Sequence, residues 1–233
     1  MDKGSGKSVN ITKTVENLLN KWPFIHDLFI IDAANYSGIA RTIADQVEKE
    51  IGTPVKINAI IAAIQRYAQK IKGTPLMDRI FEVIAKFRLT LKNDMISITL
   101  KRVEKNYNLI LESYKKINWE SGERILIFQS EGEISCLLDK INADYLLSNT
   151  QNELENIVEP LSILIIKTPP EMVEVPGVIY YLTGLISRTG ITLIDIVTTY
   201  REIIFVVYDK DAPKVFEILD EIIKKSRKTN MIK

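Results

Sequence analysis

Reactive side chains that could form a catalytic or metal site are scarce in this sequence. It contains one cysteine, Cys136, and one histidine, His26. Cys136 lies in an apolar, strand-like run, where a cysteine packs as a small hydrophobic residue. A single cysteine also excludes a disulfide framework. Carboxylate pairs such as Glu131 and Glu133 stand in polar turn segments. The sequence therefore predicts no enzyme, no metal site and no cofactor.

A different chemistry, contact with phosphates and base edges, is available to residues 56–72. Within this stretch a predicted helix carries basic and amide side chains on one face and no acidic residue. Arginine and lysine neutralise phosphates, and asparagine, glutamine and arginine can read base edges. The residues that would contact DNA are Lys56, Asn58, Gln65, Arg66, Gln69, Lys70 and Lys72. The same face also suits a helical scaffold or a dimerisation element, so both alternatives stay open.

Four predicted helices would position this basic face. Apolar spacing predicts helices from Thr12 or Thr14 to residue 22, over residues 24–33, over residues 38–51 after a Ser37 cap, and over residues 58–71. Pro23 separates the first two helices. A helix, a short turn and a helix within an all-helical segment is the organisation of helix-turn-helix modules. Residues 35–43 and 56–67 resemble such a module in archaeal regulators.

Length and composition describe an ordinary globular protein. The chain has 233 residues, a formal net charge of +1 and 46% hydrophobic residues, which is enough for one large domain or two to three small ones. The N-terminus lacks a signal-peptide pattern, and the apolar runs are far shorter than a membrane span. We therefore expect a cytoplasmic protein that does not bind membranes.

The C-terminal part of the chain alternates between strand-like and helix-like runs. Residues 161–166 read as a strand, 177–188 as a helix, 191–199 and 202–208 as two strands, and 212–225 as a helix. The order β-α-β-β-α predicts a ferredoxin-like module, with two helices on one face of an antiparallel sheet.

An upstream segment repeats this order at a spacing of roughly 65 residues. Its elements are predicted at residues 95–100, 106–118, 124–129, 133–138 and 140–147. Residues 87–91 form an additional strand, which we expect to join residues 95–100 in a hairpin around Lys92-Asn93-Asp94. Because the second copy lacks a closing strand, we predict that residues 87–91 pair in its sheet and interlace the two copies. A wing on the helical domain is the alternative.

The second copy carries a family resemblance. Pro176-Gly177-Val178 enters the helix, residues 188–191 read Arg-Thr-Gly-Ile, and residues 195–200 and 202–209 read Asp-Ile-Val-Thr-Thr-Tyr and Glu-Ile-Ile-Phe-Val-Val-Tyr-Asp. This pattern resembles the ACT domain in its aspartokinase-like form, a module that senses small molecules, and the repeat implies a tandem pair. The resemblance extends to the sensor and not to a kinase domain.

The resemblance implies a ligand site at the loop between the first strand and the first helix. In the family, backbone groups of this loop grip an amino acid, usually across an interface between two modules. The glycine allows close backbone approach, and the helix N-terminus favours a carboxylate. The matching residues are Val175, Pro176, Gly177 and Val178 in the loop, and Thr192, Leu193 and Asp195 on the second strand. Family members often carry asparagine where this chain has Thr192.

The expected fold class is α+β, with a helical domain followed by two ferredoxin-like modules. The predicted parts are a flexible arm (1–11), a helix-turn-helix-like domain (12–73), a linker helix (74–85), a first ACT-like module (86–148), a connector (149–160), a second ACT module (161–226) and a tail (227–233).

The predicted function is a DNA-binding transcriptional regulator that responds to a small-molecule effector, an amino acid. We expect double-stranded DNA as a partner and a homodimer or higher oligomer formed through ACT sheet edges. The alternative is a non-catalytic allosteric subunit that binds a biosynthetic enzyme rather than DNA. A third possibility is a structural module whose pocket has degenerated.

Overall fold

The computed structural model of the chain describes residues 10–22, 25–72, 75–150 and 153–231. Residues 1–9 of the predicted arm (1–11), the helix break at Pro23, the linker residues Gly73 and Thr74 and the end of the predicted tail lie outside the described residues. The chain divides into two compact units, a helical unit up to Met77 and a sheet unit from Asp78. The predicted α+β class is confirmed.

The described part of the helical unit consists of helices that pack on a central helix. They are α1 (Ile11–Leu19), α2 (Ile25–Ile30), α3 (Tyr36–Ile51) and α4 (Ile57–Lys72). Helix α4 contacts the other three, because Ile60, Ile64 and Tyr67 recur at helical spacing and are buried. Burial of each large apolar side chain of this kind contributes roughly 1.5–3 kcal/mol.

Asparagines, rather than the predicted hydroxyl residues, cap two of these helices. The Asn10 side chain accepts from the Thr12 amide at 2.9 Å, so α1 begins at Ile11. The Asn35 side chain accepts from the Gly38 amide at 2.9 Å, so the predicted cap at Ser37 is wrong. Asparagine and serine are comparable N-caps, and the sequence offers both.

The sheet unit contains five helices and six strands among its described residues. They are α5 (Leu76–Ile84), β1 (Arg88–Lys101), α6 (Glu104–Tyr114), β2 (Ile125–Gln129), β3 (Glu133–Asp139), α7 (Ala143–Asn149), β4 (Leu154–Lys167), α8 (Val178–Ser187), β5 (Asp195–Thr198), β6 (Glu202–Tyr208) and α9 (Ala212–Met231). The strands form one antiparallel sheet in the order β2-β3-β1-β4-β6-β5. Each half of the sheet follows the order β-α-β-β-α.

The predicted hairpin around Lys92-Asn93-Asp94 is wrong. Strand β1 runs without a reversal from Arg88 to Lys101, and its register with β4 shifts between Lys92 and Met95. Asp94 has a φ of 57°, which absorbs the extra residue in a bulge. Turn-forming residues therefore mark a bulge here. The segments before and after them, residues 88–92 and 95–100, both pair with β4 and do not pair with one another.

Strand β4 is also longer than predicted, since it begins at Leu154 rather than at residue 161. Most of the predicted connector over residues 149–160 is thus strand. Residues 154–160 pair with β1 on one side only, and most of their side chains are exposed. Their polar composition suits that position, which is why the sequence pattern suggests a loop.

The two long strands interlace the halves of the sheet. Residues 88–92 of β1 pair with residues 163–167 of β4, beside β6, which confirms that the additional strand joins the second half. In return, residues 154–158 of β4 pair with residues 97–100 of β1, beside β3. The start of β1 therefore adds a fourth strand to the second half, and the start of β4 adds a fourth strand to the first half.

Both faces of the sheet are buried in its central part. In the first half, β-strand residues such as Ile98 pack with Ile110 of α6 and Leu146 of α7. The opposite face carries a cluster of residues from both halves that includes no residue of a described helix, and it is here called the helix-free face. The fully covered members of this cluster are Met95, Leu137, Leu161, Ile163, Ile165, Ile204 and Val206. The halves therefore share one apolar core.

Candidate functional site

The predicted ligand loop ends in a turn whose conformation requires glycine. Gly177 has a φ of +89° and precedes the first residue of α8, a backbone region that L-residues other than glycine rarely occupy. Val175 and Val178 are buried on either side, and Pro176 is exposed. The turn is thus a fixed entry into α8 rather than an open loop.

Helix α5 covers this turn, which the sequence does not reveal. A β-carbon added to Gly177 would lie 3.4 Å from Ile80 Cδ1, and Ile80 is buried. The rings of Phe81 and Tyr181 meet edge to face with centroids 5.6 Å apart. Lys86 of the segment after α5 forms an ion pair with Glu171 in the same loop. The N-terminus of α8 is therefore closed on the α5 side.

The other residues assigned to the same ligand lie at the far end of the sheet, where Thr192 and Leu193 precede β5 and only Asp195 belongs to it. Through Val206, Asp195 lies level with Ile163 of β4. The turn, in contrast, comes after the end of β4 at Lys167, four residues further along that strand. Four strand residues span about 13 Å. Thr192 and Asp195 are exposed and Leu193 is partly covered. Within one chain the structure does not bring Thr192, Leu193 and Asp195 to the Val175–Val178 turn.

A cleft lies instead where the end of β4 lies beside the start of β6. Lys167, Thr168, Arg201 and Glu202 line it, and the Thr168 amide donates to the Arg201 carbonyl at 2.8 Å. Thr168 is only 6% exposed, yet its hydroxyl has no hydrogen-bond partner among the described residues. A buried hydroxyl without a partner costs about 1–3 kcal/mol. Thr168 thus lines the cleft while its hydroxyl is buried beside the cleft and closed to it.

Charges of both signs surround this cleft. Lys167 and Glu202 are cross-strand neighbours, and Arg124 from the first half of the sheet places Nη1 3.1 Å from Glu202 Oε2. The pKa of Glu171 is lowered, chiefly by the hydrogen bond from Lys86 and to a smaller degree by the charge of Arg201. A carboxylate and an ammonium group would both find an opposite charge here.

Sequence reasoning missed Lys167, Thr168, Arg201 and Glu202 as site residues. One signal was available, because Lys167 and Thr168 follow six consecutive buried residues of β4, and polar residues at the end of a buried strand mark the edge of the core. Arg124 carries no such signal, since its approach to Glu202 depends on how the whole sheet bends.

The predicted DNA-contacting residues are all exposed on or beside α4. Three of the cations also contact groups on the neighbouring helical segments. Arg66 Nη2 donates to Thr12 Oγ1 at 3.0 Å, while Lys70 pairs with Glu16 and Lys72 with Asp32. Lys56, Asn58, Gln65 and Gln69 lie exposed along the same face. The face is positively charged, but carboxylates partly neutralise it at its C-terminal end.

The two reactive residue types occupy packed positions. His26 Nε2 lies 2.7 Å from the Tyr67 hydroxyl, which in turn donates to Asn20. Cys136 is completely buried, and burial raises the pKa of its thiol to about 12. In the described ranges, no group of three or more His, Cys, Asp and Glu side chains is placed to hold a metal ion. None of the described helices has the length and apolar character needed to cross a membrane.

No known protein-family model matches the sequence, and a comparison with curated proteins finds no match. The structure is similar to aspartate kinase from Clostridium acetobutylicum (TM-score 0.49, 11% identity, 58% of this chain and 34% of that chain). It is also similar to E. coli aspartokinase III in complex with aspartate and ADP (TM-score 0.45, 17% identity, 58% and 33%). A third similar structure is the regulatory subunit of aspartate kinase from Thermus thermophilus (TM-score 0.44, 12% identity, 57% and 95%). The chain spans about a third of the two kinases.

Proposed function

We propose that this protein is a cytoplasmic, non-catalytic regulator whose sheet unit binds an amino acid. Its two β-α-β-β-α halves then correspond to interlaced, ferredoxin-like ACT modules. The observation that carries the proposal is the cleft at the end of β4, where charges of both signs converge beside a buried Thr168 hydroxyl that has no partner among the described residues. A zwitterion fits such a site better than a molecule with one charge does.

The charges assign a role to each side chain of the cleft. Lys167 and Arg201 would hold the carboxylate of the ligand, and Glu202 would hold its ammonium group. The Thr168 hydroxyl, buried in the ligand-free structure, would be uncovered as the ligand enters and would donate to the carboxylate. Arg124 would keep Glu202 oriented from the first half of the sheet, so ligand binding depends on the association of both halves.

The predicted residues Thr192, Leu193 and Asp195 take part only if a second chain supplies them. Strand β5, which begins at Asp195, lies at the edge of the sheet, and Ile196 is 36% exposed there. An exposed strand edge favours pairing with another strand. A homodimer or higher oligomer through sheet edges would bring this segment to the Val175–Val178 turn of its partner.

DNA is the proposed output partner of the helical unit. Helix α4 exposes arginine, lysine, asparagine and glutamine and contains no acidic residue, and a short turn joins it to α3. This arrangement suits a recognition helix of the helix-turn-helix type. Binding of an amino acid to the sheet unit would then shift the population of DNA-bound dimers.

One observation favours the alternative, a regulatory subunit for a biosynthetic enzyme. Lys70 and Lys72 already pair with Glu16 and Asp32, and paired cations gain less from phosphates than unpaired ones do. A mobility-shift assay with fragments of the protein's own promoter region distinguishes the two functions. DNA binding predicts a shift that weakens with salt and is lost on Arg66→Gln with Lys70→Gln.

The matched control for this assay is Lys214→Gln with Lys224→Gln on α9. Those lysines also pair with carboxylates, Glu217 and Asp220, but they lie in the sheet unit. The control should bind DNA as the unmodified chain does. A co-purifying enzyme without any DNA shift would establish the subunit instead.

A thermal-shift screen against the twenty amino acids tests the ligand proposal. We expect one or a few of them to raise the melting temperature, and Thr168→Val to abolish that rise. Valine keeps the shape of threonine and removes only an unpaired hydroxyl, so the ligand-free variant should remain at least as stable. Thr150→Val is the control, because the Thr150 hydroxyl already donates to the Leu147 carbonyl at 3.0 Å. A flat response across the panel would contradict the proposal.

A further inference from the structure

Helix α6 carries an exposed apolar stripe along one side. Val103, Tyr107, Leu111 and Tyr114 follow one another at intervals of three or four residues and are 41–46% exposed. Trp119 extends the stripe beyond the end of the helix, since its ring lies 5.0 Å from the Tyr114 ring and is 52% exposed. Residues at this spacing share one side of a helix.

The stripe is not part of the core that holds α6 in place. The helix packs on the sheet through a separate side, where Asn106, Leu109, Ile110 and Ser113 are buried. Five half-exposed side chains, three of them aromatic, form a patch on the order of 400 Å². Patches of this size on soluble proteins commonly mark interaction surfaces, and tyrosine and tryptophan are enriched at such surfaces.

Charges beside the stripe make it complementary to itself. Glu104 lies in the first turn of α6, and Lys115, whose ammonium group also pairs with the exposed Glu112 at 2.6 Å, caps its last turn. They are eleven residues apart, or about three helical turns, so both lie on the same flank of the stripe. When two copies of α6 pack antiparallel, Glu104 of each copy lies beside Lys115 of the other, and the apolar stripes face each other.

We propose that this stripe is the docking surface for α6 of a second copy of the chain, with the two helices antiparallel about a twofold axis. The contact is isologous, so each pairing across it occurs twice. The patch is smaller than the surface buried in obligate dimers, so association is reversible and depends on concentration. This surface is separate from the sheet edge at β5, and the proposal does not depend on any ligand or on DNA.

Sedimentation velocity over a range of protein concentrations tests the proposal. The full chain with Ile196→Lys, which places a charge on the β5 edge, isolates association through α6. We expect this protein to dimerise as its concentration rises, and Leu111→Lys to weaken dimerisation at least tenfold. Circular dichroism should stay unchanged, because Leu111 is 44% exposed. A protein that stays monomeric at every concentration would overturn the proposal. That outcome would mean that the stripe is exposed to solvent or is covered by another part of the same chain.

Charge reversal distinguishes the antiparallel arrangement from general stickiness of the patch. Glu104→Lys and Lys115→Glu should each weaken dimerisation several-fold, and the double reversal should restore it. Lys105→Glu, also on α6 but away from the stripe, is the control and should leave dimerisation unchanged. Equal weakening by the control, or a double reversal that weakens dimerisation further, would overturn the proposed pairing.

Discussion

Arg124 Nη1 lies 3.1 Å from Glu202 Oε2, although three strands, β3, β1 and β4, lie between β2 and β6 in the sheet. Arg124 precedes β2, and Glu202 begins β6. Four inter-strand steps in a flat sheet span about 19 Å, more than the two side chains can bridge. The sheet must therefore curl so that the helix-free faces of its halves turn toward one another, which agrees with their shared apolar cluster.

Glu202→Gln should reduce ligand binding far more than it reduces stability. The ion pair with Arg124 is partly exposed, so its loss is expected to cost at most about 1 kcal/mol in urea unfolding. Loss of the carboxylate should lower the affinity for the stabilising amino acid at least tenfold, as measured by calorimetry. Glu155→Gln is the control. Glu155 Oε1 lies 3.9 Å from Lys101 Nζ, and this ion pair is remote from the cleft. Equal affinities for the two variants would exclude Glu202 from the site.

Gly177→Ala should destabilise the sheet unit, whereas Gly184→Ala should not. At a φ of +89° an alanine is strained, at a cost of about 1–2 kcal/mol. Gly184 lies within α8 and its added β-carbon would meet nothing within 4 Å, so alanine there should stabilise the helix by about 0.5–1 kcal/mol. Chemical unfolding of both variants measures the difference. Similar shifts for the two would show that the turn tolerates other conformations.

Cys136 should not react with thiol reagents in the folded protein. Its thiol is completely buried and has a pKa of about 12, so only about one molecule in ten thousand is a thiolate at pH 8. A colorimetric disulfide reagent should label the protein rapidly in guanidinium and very slowly without it. Rapid labelling of the folded chain would mean that β3 opens locally.

The contact between Lys86 and Glu171 should weaken in acid. The pKa of Glu171 is lowered below its ordinary value of 4.5, with the hydrogen bond from Lys86 as the largest cause. A lowered carboxyl pKa contributes stability above pH 4.5 that is lost as the pH falls through the lowered value. The protection factors of the α5 amides, which correct for the slower intrinsic exchange in acid, should therefore fall in that range. Glu171→Gln should remove this step, and an unchanged profile would show that the pair does not hold α5.

The sequence predicts the element order better than it predicts the pairing. Apolar periodicity identifies α4, α8 and α9, because each buries one stripe of side chains. Because the second half lacks a closing strand, the sequence predicts that residues 87–91 pair in that half. This prediction is confirmed by the pairing of residues 88–92 with β4. By contrast, Asn93-Asp94 reads as a turn although it is a bulge, because local composition does not reveal which strand a segment will pair with.

The candidate site is harder to predict than the fold because its parts are distant in sequence. The special conformation of Gly177 agrees with its predicted role as a turn glycine. The cover provided by Ile80 and the approach of Arg124 to Glu202 are long-range contacts with no local pattern. Asp195 lies away from the turn because strand register, rather than residue type, determines its position along the sheet.

The interlaced strands have a consequence for synthesis on the ribosome. Among the residues that the structure describes, residues 88–92 have strand partners only in residues 163–167 of β4, which are translated about seventy residues later. The first half of the sheet unit must therefore wait, with an unpaired strand end, until the second half has left the exit tunnel. The nascent chain is most vulnerable to aggregation during that interval, and a chain truncated near residue 150 would remain in that state.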